Sequence, residues 1–389
     1  MVHIRWFASL LCLLGLATAP ALAQEVRIEP TPAQGQMPHV QVEANGTVHM
    51  IYMVGEAPGP ADVYYVHRPA GETRFSEPIR VNSEDGSGYL AGAMRAAQLA
   101  VGVDGRVHVA WMGSPQGRIA GPEDTLQTPM LYTRLNDAAD AFEPQRNVVQ
   151  HGFGIDGGGT VAADGQGRVY VIWHAFGDTR DEADRQVYVA RSEDEGQTFE
   201  RERGVLEQRL GVCHCCGLNA GTDAAGNVHV LLRAATDGVG RGSWLLRSSD
   251  GGRRFAATEL EPWEIDACMM STFALASNVK PDSLAVAWEA KNRVAFATMA
   301  ADGHLIGGPF AATGGGNNQR HPALAVNEVG QILLAWAEER RGGSQVVWQL
   351  YAADGTPVGG PERGPRIGPA HRIRLAAVAE ADGSFTVYH

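Results

Sequence analysis

One hydrophobic pattern recurs along the chain every fifty to sixty residues or so: a short, largely apolar run that opens on glycine and ends in a large residue. The copies are Gly46–Tyr52, Gly105–Trp111, Gly167–Trp173, Gly226–Leu232, Asp282–Trp288, Gly330–Trp336 and Gly383–His389. Each follows a stretch of small and β-branched residues, such as Gln98–Val101 or Ala323–Val326. Turn pairs such as Asn45-Gly46, Asp104-Gly105 and Asp382-Gly383 join the two, which is the chemistry of a β-hairpin. After each of the first six hairpins the pattern predicts a third strand, a turn and a fourth strand. The seventh copy stops at its second strand. Repeats of this length with several short strands are the signature of propeller blades. The expected fold is all-β: a β-propeller of seven four-stranded antiparallel blades, with six as the alternative count. A ring must be closed, and the alternating Val26-Arg27-Ile28 segment is the expected added strand.

Two of the turns between third and fourth strands share a finer pattern. Ser192-Glu193-Asp194-Glu195-Gly196-Gln197-Thr198-Phe199 and Ser248-Ser249-Asp250-Gly251-Gly252-Arg253-Arg254-Phe255 both read S-x-D-x-G-x-x-F. Ser and Asp side chains hold local backbone N–H groups, glycine takes a conformation closed to other residues, and the ring packs the turn onto its hairpin. The turn is decayed in the second repeat, where Asp137 and Phe142 survive, and in the first, where Phe75 does. Repeats five and six have the shorter turns Ala301-Asp302-Gly303 and Ala353-Asp354-Gly355.

This octapeptide is the Asp-box motif, and with the strand pattern it resembles the sialidase superfamily over nearly all of residues 24–389. The resemblance implies a propeller fold. For function it implies three arginines that clamp a substrate carboxylate, a Tyr nucleophile activated by Glu, and an Asp acid/base. Those enzymes begin their first blade with Arg-Ile-Pro, whereas this chain has Gln36-Met37-Pro38. Arg95, Arg233, Arg320 and Arg372 (or Arg374) are the candidates to bind a small carbohydrate acid in this reading. Asp-box propellers also serve as non-catalytic protein-docking platforms.

Residues 1–23 read as a secretory signal peptide: Arg5, an apolar core from Phe7 to Ala19, and Ala21-Leu22-Ala23 before Gln24. The expected mature chain, 24–389, is periplasmic or secreted. No later stretch is long and apolar enough to span a bilayer as a helix. Removing one Arg takes the net charge from −12 to −12 − 1 = −13. That balance argues against a nucleic-acid partner.

In a four-stranded blade, the blade-to-blade connections share a face with the loops between strands two and three. Their last residues converge on the mouth of the ring, where propeller ligands commonly sit. Every cysteine after the leader falls in two adjacent connections: Cys213-His214-Cys215-Cys216 before blade four and Cys268-Met269-Met270 before blade five. Thiolate and thioether ligands favour Cu(I), and mixed Cys/His sets also suit zinc, for which Met is a poor ligand. The candidate metal ligands are therefore Cys213, His214, Cys215, Cys216, Cys268, Met269 and Met270, with copper as Cu(I) preferred over zinc. The alternative is a pair of disulfides, of which Cys213–Cys216 with Cys215–Cys268 is one arrangement.

Overall fold

A computed structural model describes residues 25–121, 125–206, 210–277, 283–300, 302–313, 318–369 and 373–389. The expected leader lies outside the described residues. Six blades of four strands follow one another along the chain, and the first carries a short fifth strand, Gly88–Leu90. Their innermost strands are Gln36–Val42, Gln98–Val101, Gly159–Ala163, Asn219–Thr222, Phe273–Ser277 and Gln319–Val326. Blade seven contributes Ala376–Ala379 and Phe385–Tyr388, and its outer strand is Val26–Glu29 from the other end of the chain. Each innermost strand packs against the next, and that of blade seven returns to that of blade one. The ring has seven blades, the larger of the two counts.

The second strands are apolar on both sides because each blade is sandwiched between two others. Val107–Met112, Val169–Ala175 and Ser283–Ala290 are buried at every position. Trp111, Trp173, Trp288 and Trp336, which end the repeated run, are fully buried between blades. Outer strands are the reverse. Pro357–Ile367 is exposed along most of its length, and prolines at 357, 361 and 365 blunt it as an edge.

The Asp-box turns hold as their residues require. Ser192 Oγ accepts from Gly196 N at 2.9 Å, and Asp194 Oδ1 accepts from Thr198 N at 2.9 Å. In the second box Gly252 N donates to Ser248 Oγ at 2.9 Å, and Asp250 Oδ1 receives the N–H groups of Arg253 and Arg254. Gly196 and Gly252 have φ of 73° and 75°. Each glycine lies against an aromatic ring of the preceding blade, Tyr132 and Tyr170 respectively. The box therefore joins blades as well as strands.

Closure uses the N-terminal strand. Val26–Glu29 pairs in parallel with Phe385–Tyr388, in the register Val26 to Phe385 and Glu29 to Tyr388. Thr31 N and Oγ1 both donate to the carbonyl of His389, at 2.9 and 2.8 Å. A cavity of about 420 Å³ runs on the axis, lined by the innermost strands. It includes the hairpin-turn residues Glu43, Asn45, Asn327 and Glu328, so it opens on the face opposite the blade-to-blade connections.

Candidate metal centre

The connections before blades four and five meet as their sequences suggest. Cys213 N donates to Arg233 O at 3.0 Å, and Cys216 N donates to Cys213 O at 3.2 Å, which folds the triplet into a turn. Gly217 N donates to Ser271 O at 3.0 Å and ties that turn to the next connection. The Sγ atoms of Cys213, Cys215 and Cys216 lie within 4.8 Å of one another, and all three residues are buried. Cys213 and Cys215 are 3.7 Å apart, sulfur to sulfur.

Cys268 is exposed and its sulfur bonds to that of Cys215. One bridge of the two-disulfide arrangement is thus formed, whereas Cys213 and Cys216 are unbridged. Met269 packs on the cysteine cluster. Met270 is 41 % exposed, with its backbone in the left-handed region. His214 sits outside the buried triplet. Its N–H and Nδ1 both face Glu182 Oε1, at 2.7 and 3.0 Å, and its Nε2 lies 3.7 Å from Asp156.

The electrostatics favour one thiolate. Burial works to raise the Cys216 thiol. Hydrogen bonding from Cys213, the Arg233 charge and the Ser271 hydroxyl outweigh it and bring Cys216 down to about 6. Cys213 moves the other way, first because it holds the proton shared with Cys216 and then by burial. Ser271 Oγ donates to Cys216 Sγ at 3.4 Å, and Arg233 Nε donates to Ser271 Oγ at 2.7 Å. Arg233 is 1 % exposed, and its remaining donors go to the carbonyls of Arg241 and Glu289. Among the described residues no carboxylate pairs with it, so the sulfur is its nearby countercharge.

Behind the triplet, His174 Nε2 donates to Cys216 O at 2.9 Å while its Nδ1 accepts from Arg185 at 3.0 Å. Burial and then the Arg185 charge keep His174 well below the usual histidine range, hence neutral. Burial brings Arg185 itself down to about 10. Gly157 makes room for this contact, because a Cβ there would stand 2.1 Å from Cys216 O and 2.4 Å from His174 Nε2.

Of the arginines singled out by the sialidase resemblance, Arg372 lies outside the described residues. Arg95 is committed to Ala91 O, Asp156 O and the Asp156 carboxylate, and Arg233 to the partners above. Arg320 donates to Met269 O at 3.1 Å and lies 3.5 Å from Glu289. Arg374 is buried, and burial lowers it to about 10. These side chains brace the connecting loops. Sequence reasoning missed Glu182, Asp156, Arg185, Arg241 and Ser271. The one available signal was the acidic loop 181–184 and the Gly157-Gly158-Gly159 run on the same face.

No protein-family profile matches the chain, and no curated protein does. Similar solved structures exist. A protein of unknown function from Dyadobacter fermentans is 14% identical, with 84% of this chain and 97% of that one covered and a TM-score of 0.55. A Hadza microbial sialidase is 13% identical, covering 83% of this chain and 69% of that one, with a TM-score of 0.46. The intramolecular trans-sialidase of Ruminococcus gnavus is 12% identical, covering 90% and 88%, with a TM-score of 0.45. Such identities speak to fold alone. The chain is a seven-bladed β-propeller that carries two intact Asp-box turns.

Proposed function

We propose that this propeller captures a soft metal ion, Cu(I), through the thiolates of its blade-four connection, in an exported setting. The observation that carries the reading is the convergence of three buried sulfurs within 4.8 Å, with Met269 packed beside them. A thiolate–metal bond of about 2.3 Å places sulfurs of a shared ion about 4 Å apart, which matches this spacing. While Cys215 is bridged, Cys213 and Cys216 offer two thiolates, a set that suits Cu(I) and falls short of the four ligands zinc prefers. Opening the bridge adds Cys215, with Cys268 and Met269 at the rim. Arg233 offsets the negative charge that two or three thiolates bring into a buried place. His214 is held by Glu182 and is a flanking group rather than a ligand in this arrangement.

The test is a Cu(I) titration of fully reduced protein against a coloured Cu(I) chelator under anaerobic conditions. One equivalent should be withdrawn from the chelator. Cys216→Ser should weaken retention at least tenfold, whereas His214→Ala should change it less than threefold. Zinc withdrawn in preference to copper, or equal retention by Cys216→Ser, would reject the reading.

A further inference from the structure

Two free cysteines stand beside one bridge, and burial increases from the bridge's outer end to the free thiols. Cys268 is exposed on the rim, between the exposed residues Asp266 and Ala267 and the half-buried Met269. Its partner Cys215 is buried, and a free, fully buried thiol, Cys213, stands 3.7 Å from the Cys215 sulfur. Cys216 lies within 4.8 Å of both sulfurs. Exposure thus falls from Cys268 through Cys215 to the two free thiols across a few ångströms.

We infer that these four residues form a thiol–disulfide exchange relay, in which Cys213 attacks Cys215 and expels Cys268 as the sulfur that meets external thiols. The Cys213–Cys215 bond forms as the Cys215–Cys268 bond breaks. The Cys216 sulfur takes the Cys213 proton as Cys213 attacks, and Cys268 departs as the thiolate, so the step is an isomerisation with no net oxidation. Exchange with the outside needs a low-molecular-weight thiol or disulfide. A small disulfide RS–SR that accepts two electrons from the remaining thiol pair leaves two bridges and two RSH. Internal exchange requires no solvent access to Cys213, which accounts for a reactive position inside a sealed cluster. Opening at Cys268 also releases the connection before blade five from the triplet, while Gly217 N still holds Ser271 O. The relay operates on metal-free protein and stands independently of the copper reading.

The test uses metal-free protein with chelator present. Cys268→Ala alters an exposed side chain, and its reduced form is reoxidised with oxidised glutathione before native alkylation and peptide mapping. The expected product is a Cys213–Cys215 bridge with Cys216 alone alkylated. Any other pairing, or three free thiols, overturns the relay. In the wild-type protein, a trace of 2-mercaptoethanol should make Cys268 available to iodoacetamide with Cys213–Cys215 bridged. In Cys213→Ser, that labelling should fall at least tenfold; equal labelling in both proteins also overturns it. Because copper retention is read on fully reduced protein, either idea can fail without the other.

Discussion

At the residue scale, the cysteine cluster depends on a histidine that carries no charge. His174 bridges Arg185 and the Cys216 carbonyl, and both contacts require the neutral ring with its proton on Nε2. Its folded pKa lies well below the unfolded value near 6.5, so the sign of the pH effect follows. Above about pH 6.5 neither state binds this proton. Below it the unfolded chain binds the proton and the folded one does not, so stability falls with pH at up to about 1.4 kcal/mol per unit for this group. His174→Gln keeps a donor for Cys216 O and an acceptor for Arg185 without a titratable ring. Urea unfolding at pH 7 and pH 5 should show the variant losing less stability between those values than the wild-type protein, by about 1 kcal/mol or more. Equal losses would mean that His174 is not held neutral. In the sequence His174 is only the residue that follows the run Gly167–Trp173. Its partners come from loops distant in the chain, and no local pattern announces them.

At the element scale, much was legible because propeller strands repeat. All seven glycine-led or Asp-led runs mark second strands, and both intact boxes form their turns. What escaped is short and lacks alternation. Gly88–Leu90 adds to the third strand of blade one, and Ile119–Ala120 pairs with Leu126–Gln127 as a small separate ribbon. Two- and three-residue strands are fixed by what they dock against, not by period. The boxes also do more than their motif states, since each docks on the blade before it. A Cβ on Gly196 would stand 1.8 Å from Tyr132 Oη, whereas one on Gly71, at the decayed turn of blade one, would meet nothing within 4 Å. Both glycines have positive φ. Gly71→Ala should therefore cost only the backbone term, about 1–2 kcal/mol. Gly196→Ala should cost about 1–3 kcal/mol more, because the ring must also move. Denaturant midpoints for the two variants would measure the docking contribution directly, and equal midpoints would show that the box is only a local turn.

At the scale of the whole molecule, the ring is latched by its first strand. Blade seven has two strands of its own, and without Val26–Glu29 the strand Phe385–Tyr388 would present an unpaired edge. The alternating pattern of that segment revealed the strand, but its parallel direction follows from the path of the chain and is not written in the pattern. Val26 and Ile28 pack on the cluster that holds Trp348, Phe385 and Val387, and Arg27 donates to Ser384 Oγ at 3.0 Å. Two half-buried aliphatic side chains and a short ladder of backbone bonds sum to a net effect on the order of 3–5 kcal/mol. A chain beginning at Thr31 should therefore unfold at a lower denaturant midpoint and associate with itself through the freed edge. A synthetic peptide of residues 24–30 should restore the midpoint when added in excess, because the latch makes no covalent demand on blade seven. The same peptide with Ile28 replaced by Asp should restore less, since a carboxylate cannot occupy that apolar seat without cost. An unchanged midpoint after truncation would place closure elsewhere, in the packing of the innermost strands of blades seven and one.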